Sequence, residues 1–176
     1  MLTPTVRRTL APRGQTPILP CWDRRDRISA VSAITVSPKR KRLGLCFQLL
    51  PDNENVDGED TVSFLKLLKR HHPGPLTIIW DRGNIHDRAK VVQKYLAKHP
   101  EIVTEKFPAY APELDPDEYV WTGTKYNRLA NFVPADIHAL RRRLTSELNR
   151  LRKQPDRLRS CIKHSKLPLL TEADYH

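Results

Sequence analysis

Apolar residues alternate with small or polar ones over Ile28–Val36, and Leu43–Leu50 is almost continuously apolar. Runs of this length and period predict strands. Between them, Ser37-Pro38-Lys39-Arg40-Lys41-Arg42 is a turn signal that joins the two as an antiparallel hairpin. Residues 51–60 are acidic and polar and predict a loop, with Asp60 placed to cap a helix over Thr61–His71. Phe64, Leu65, Leu67 and Leu68 give that helix its buried side. Leu76-Thr77-Ile78-Ile79-Trp80-Asp81 predicts a buried strand whose aspartate emerges at the carboxyl end. Asp87 is expected to cap a helix from about Arg88 to His99, with Val91, Val92, Tyr95 and Leu96 in one stripe. Glu101–Phe107 predicts a further strand, and strand–helix–strand order implies parallel neighbours joined by a right-handed crossover. A helix is expected over about Asp117–Leu129. Another over Asp136–Lys153 places Ile137, Leu140, Leu144, Leu148 and Leu151 on one stripe and Arg141, Arg142, Arg143, Arg150 and Arg152 on the other face. Residues 3–20, punctuated by Pro4, Pro12, Gly14, Pro17 and Pro20, predict irregular chain with at most one short strand. The pattern is that of an α/β protein.

Its 176 residues suffice for one domain with a single core. The net charge of +11 fits a polyanionic partner. Its distribution is more informative. Residues 1–42 carry ten Lys/Arg against two acids and residues 125–166 twelve against three, whereas residues 43–124 carry nine against thirteen. Acids concentrate in the middle and bases flank them, as expected of a protein that holds metal at its centre and phosphate backbone around it. A solvated basic surface with no specific ligand is the competing reading, and charge alone does not separate the two. Cys21, Cys46 and Cys161 are scattered, so neither a zinc site nor a disulfide framework is predicted, and Cys46 in its apolar run reads as a buried thiol. No apolar run approaches eighteen residues and the amino terminus has no signal-peptide hydrophobic stretch, so the expected location is the reducing cytoplasm, away from membranes.

The candidate chemistry lies in two acidic motifs. Trp80-Asp81-Arg82-Gly83-Asn84-Ile85-His86 follows a strand, and sites in open α/β sheets form at the strands' carboxyl ends. Tyr110-Ala111-Pro112-Glu113-Leu114-Asp115-Pro116-Asp117-Glu118 reads as a proline-punctuated loop entering a helix. Thirty-six residues separate Asp81 from Glu118, enough for one helix and one strand. Carboxylates brought together from separate elements suit Mg²⁺, a hard cation, in phosphoryl chemistry. His86 stands close enough to Asp81 in sequence to line the same site. Trp80, Tyr110, Tyr119 and Trp121 are more readily packing residues than base-stacking platforms, and Trp121, three residues after Glu118, shares its side of the helix.

In order and at this spacing, the two motifs resemble those of the DDE transposases of bacterial insertion sequences, in the mariner-like group. The resemblance runs from about Arg7 to about Pro168. It implies a ribonuclease-H-like mixed sheet flanked by helices, with residues 1–176 forming a single partial catalytic domain and residues 134–168 its helical carboxyl-terminal part. It assigns catalytic, metal-binding roles to Asp81 and to Glu118, although the family usually has asparagine where this chain has Asp115 and often an apolar residue where it has Asp117. The family's first aspartate lies on a central strand just upstream of the matched region. Asp23 and Asp26, in the charged segment Cys21–Arg27, read as loop residues and do not replace it. The expectation is therefore a chain truncated at its amino terminus, without the first strand, the first catalytic Asp or a helix-turn-helix. Its affinity for Mg²⁺ or Mn²⁺ is weakened by the absent ligand, and it is inactive alone or nearly so. The implied partners are DNA (transposon ends and target), the upstream half of a split transposase, and a second copy in a homo-oligomer. DNA contact is expected through Lys39, Arg40, Lys41 and Arg42 at the hairpin tip and through Arg141, Arg142 and Arg143. A non-catalytic basic nucleic-acid-binding protein remains the alternative.

Overall fold

In a computed structural model, the structure describes residues 5–8, 10–18, 26–39 and 42–167. The expected hairpin forms from β1 (Ile28–Val36) and β2 (Leu43–Asp52), which pair antiparallel with Ile34 opposite Leu45 and an irregularity between Ile28 and Ala30. The Ser37 N–H donates to the Arg42 carbonyl (2.9 Å) and the Arg42 N–H to Ser37 Oγ (3.1 Å), closing the tip. Arg40 and Lys41, like Cys21 and Asp23, lie outside the described residues. Cys46 is half-buried, not buried; burial still pushes its thiol up.

α1 (Gly58–His71) starts one turn earlier than its apolar pattern suggests. Asp57, not Asp60, is the N-cap: its side chain accepts from the Asp60 N–H (2.9 Å), while Asp60 Oδ2 accepts from the Asp57 N–H (3.0 Å). This reciprocal box satisfies two otherwise orphaned donors, which is why the acidic residue three positions back wins. β3 (Leu76–Trp80) and β4 (Ile102–Lys106) pair in parallel, as the strand–helix–strand order requires. The connection differs from expectation. A short α2 (Asn84–Asp87) precedes α3 (Lys90–Ala97), whose N-cap is Ala89 with no side-chain cap. The turn after Asp81 folds Asn84–Asp87 into helix, so Asp87 ends one helix and does not begin the next.

α4 (Pro116–Gly123) is capped by Asp115, whose side chain accepts from the Asp117 N–H, with Pro116 in the first turn where a missing N–H costs nothing. It does not continue as α-helix to Leu129; a π-helical turn covers Thr124–Arg128. α5 (Ile137–Arg152) begins after Asp136, which accepts from the Ala139 N–H, and α6 (Pro155–His164) follows a tight turn. Leu45, Val120, Leu144, Leu148, Leu151 and Leu158 form the larger core, joining β2 to α4, α5 and α6. Val62, Leu65 and Val92 form a smaller one beneath β3. Inside the first, Glu147 is buried between Arg128 (3.1 Å) and Arg143 (3.1 Å). Nothing in the sequence pattern announced that pairing, because Arg128 belongs to a different element.

Among the described residues the strands make two separate two-stranded sheets, β1–β2 and β3–β4, with no ladder between them. No residue of β1 or β3 is fully buried, despite their apolar sequences. No helix among the described residues is long and apolar enough to cross a membrane.

Candidate catalytic cleft

Asp81 follows the last residue of β3 directly, so the parallel pair delivers it at its carboxyl edge. Asp115 and Glu118 come from the start of α4, after the Pro112–Leu114 turn of 3₁₀ helix. These three carboxyls, from distant parts of the chain, line one open cleft of ≈ 430 Å³ together with Arg82, Phe107 and Tyr110. Arg82 is tethered by its Nε–H donating to the Phe107 carbonyl (3.1 Å), which holds its charge at the edge of the acids. Asp81 and Glu118 are thus brought to the same cavity, as the motifs implied.

The electrostatics are those of crowded acids. Burial, then Glu118 and Asp81, push the Asp115 carboxyl up, against the pull of its bond from the Asp117 N–H. Asp117 turns away from the cleft lining towards the hairpin. Its Oδ2 accepts from Ser32 Oγ–H (2.5 Å) and from the Trp121 indole N–H (3.0 Å), and the indole also lies 2.9 Å from Ser32 Oγ. The residue as a whole is half-buried, but its Oδ1 is shut off from solvent and has no partner among the described residues. Burial pushes Asp117 up to about 6, with Asp115 and Glu118 adding to the rise and the Ser32 and Trp121 bonds opposing it. Trp121 is therefore structural, as its sequence setting suggested. Ser32 was not foreseen; the i, i+4 spacing of Asp117 and Trp121 was the available sign that a carboxyl and an indole meet on one face.

Asp81 itself is well exposed, and its Oδ1 accepts from the Gly83 N–H (2.8 Å) and contacts His86 Nε2. His86 thus contacts a residue of the cleft, Asp81, without lining the cleft itself.

Hard oxygen donors are the set that Mg²⁺ or Mn²⁺ prefers, so the chemistry of Asp81, Asp115 and Glu118 fits such an ion. Among the described residues, however, no three acids, histidines or cysteines are drawn close enough to hold a metal together.

The basic side chains are placed unequally. Lys39, Arg42 and Arg142 are exposed. Arg141 instead bonds Asp52 Oδ1 (2.6 Å and 3.1 Å) and the Leu50 carbonyl, bracing α5 to the end of β2. Arg143, besides pairing with Glu147, stands 5.7 Å from the Phe132 ring centre.

A family model described as DDE superfamily endonuclease matches residues 1–141. Among solved structures, the Mos1 mariner paired-end complex with Mn is 17% identical, with a TM-score of 0.56 over 92% of this chain and 51% of that one. The Mos1 transposase paired-end complex with the left transposon end gives the same identity and TM-score over 93% and 52%. The Mos1 strand transfer complex gives 17% and 0.54 over 92% and 50%. The present chain thus spans about half the length of those chains. Identity this low establishes the fold, which is the ribonuclease-H-like mixed α/β arrangement. No curated protein matches the chain.

Proposed function

This chain belongs to the DDE superfamily endonucleases, and we propose that it is the carboxyl-terminal part of a transposase catalytic domain. In this reading it binds DNA and supplies two of the carboxylates, Asp81 and Glu118, for phosphodiester cleavage and strand transfer. The observation that carries it is the cleft, where Asp81 from β3 and Asp115 and Glu118 from α4 face one cavity beside Arg82. Divalent metal bound there supplies Lewis acidity at the phosphodiester. The chain's own residues do the rest. Asp81 and Glu118 would hold the cation, Asp115 would add negative charge beside them, and Arg82 would offer positive charge to a neighbouring phosphate. The related structures with Mn and with transposon ends are in keeping with this assignment.

The first carboxylate of the triad comes, on this reading, from a strand upstream of the matched region that lies between β1 and β3. Three features support that placement. Among the described residues the two sheets share no ladder. β1 and β3 have no fully buried residue. Trp80 Nε1 on β3 and Asp117 Oδ1 behind β1 are buried without a partner among the described residues. That strand belongs to the same polypeptide or to the upstream half of a split transposase. DNA phosphates are met by Lys39 and Arg42 at the hairpin tip and by Arg142 and Arg143 on α5, with Arg141 fixing the helix to the hairpin.

The test is a DNA-cleavage assay with Mg²⁺ or Mn²⁺, on the 176-residue chain alone and with a peptide carrying the upstream strand and its aspartate. Salt-sensitive binding without cleavage by the chain alone is expected, with metal-dependent cleavage on adding the peptide and its loss in D81N. Binding that no peptide or metal converts to cleavage would favour a non-catalytic nucleic-acid-binding protein.

A further inference from the structure

The loop after β3 spends several interactions on one oxygen of one side chain. The Gly83 N–H donates to Asp81 Oδ1 at 2.8 Å. His86 Nε2 lies 3.0 Å from the Asp81 carbonyl oxygen and also contacts Oδ1. Both partners of Nε2 are pure acceptors, so Nε2 must carry the proton and donate to each. The imidazole is held in turn by stacking on Trp80, with ring centres 5.0 Å apart and planes 27° apart, and its side chain is only 16% exposed although Asp81 is 69% exposed. The turn is built around this contact. A Cβ at Gly83 would come 2.9 Å from Asp81 Oδ1 and 2.9 Å from His86 Cε1, so only glycine lets the imidazole and carboxyl close over the backbone.

An exposed aspartate at a strand end would ordinarily sample several rotamers. Here Oδ1 meets two donors, which restrains the carboxyl plane of this cleft-lining side chain and leaves its other oxygen, Oδ2, to meet a ligand. We infer that His86 is a positioning residue that locks the Asp81 carboxylate so that Oδ2 alone is presented, one-toothed, to a divalent cation in the cleft. The inference rests on the metal-site reading of Asp81 given above. Its physical basis is that groups hydrogen-bonded to a metal ligand set its orientation, and their loss typically weakens metal binding about 10- to 100-fold.

The experiment is a Mn²⁺ titration of the 176-residue chain at one pH, by calorimetry, on wild type, D81N, H86F and H86Q. A melting curve of each without metal reports folding. H86F keeps a ring on Trp80 and removes the N–H; H86Q returns an N–H at about the reach of Nε2. The expected result is binding by wild type, its loss in D81N, about a tenfold or greater weakening in H86F at little change in melting temperature, and recovery of most of that loss in H86Q. H86F binding like wild type would overturn the inference, as would H86Q binding no better than H86F. A wild type that binds Mn²⁺ no better than D81N would instead overturn the site reading beneath it. If H86F does not fold, the imidazole ¹⁵N spectrum of the metal-free wild type decides: an Nε2–H tautomer whose resonances move in D81N is required, and an Nδ1–H tautomer contradicts the lock.

Discussion

The two halves of this molecule present their carboxylates in opposite ways. Glu118 and Asp115 stand on a helix that is anchored from behind: α4 buries Val120 among the leucines of α5 and α6, and Asp117 and Trp121 bond Ser32 in the hairpin. Asp81 stands at the exposed end of a two-stranded parallel pair over a core of three buried residues, and a contact five residues away in sequence steadies it. The first carboxylates are positioned by tertiary packing, the second by its own loop. A cleft assembled this way has one rigid wall and one wall whose stability depends on what else pairs with β3.

Truncation in the two cores should break this comparison most visibly. Leu148 is fully buried in the larger cluster, and Leu148→Ala should cost about 3–4 kcal/mol and shift unfolding of the whole chain in urea. Val92, equally buried in the smaller cluster, should cost about 2 kcal/mol on truncation to alanine, with hydrogen-exchange protection lost mainly in β3, β4 and α3. Equal, global loss from both would show that the halves are one cooperative unit.

Next in size is the buried ion pair of the rigid half. Arg128→Ala leaves Glu147 with Arg143 alone and should cost about 2–3 kcal/mol by chemical denaturation. The polar anchor of α4 gives a pH signature. Asp117 is raised in the folded chain to about 6, so its carboxyl favours the folded state fully only at pH below the unfolded value of about 4. That contribution is lost as pH rises through about 6. Between pH 4 and pH 7 the wild type should therefore lose about 2 kcal/mol that Asp117→Asn does not lose, read as the difference in their urea midpoints at the two pH values. The smallest effect expected is at the α1 cap: Asp57→Ala should cost about 1 kcal/mol, without touching the larger core.

These differences also mark what could be read from the chain before its structure. The hairpin, the parallel strand pair and α5 were legible because each is written in local periodicity, and the meeting of Asp81 and Glu118 in one cleft because strand-end and loop motifs mark their positions. Helix starts at 58 and 90 were misjudged because they depend on a reciprocal side-chain box and on how the Asp81 turn folds. Ser32, Asp117 and Trp121 form a contact across 85 or more residues of sequence, and Arg141 with Asp52 another across 89. Pairings at that range follow from packing alone, so an arginine on a polar helix face reads as free until the hairpin end is placed against it.

The central claim is that the rigid and the loop-held wall form one cation site. Line broadening of backbone amide signals by substoichiometric Mn²⁺ tests it most directly. Signals of Asp81–Gly83 and of Asp115–Val120 should broaden first and together, and both sets should be spared in D81N and in E118Q. Broadening centred on the acidic loop at residues 52–60, or of one wall alone and indifferent to substitution of the other, would contradict the account.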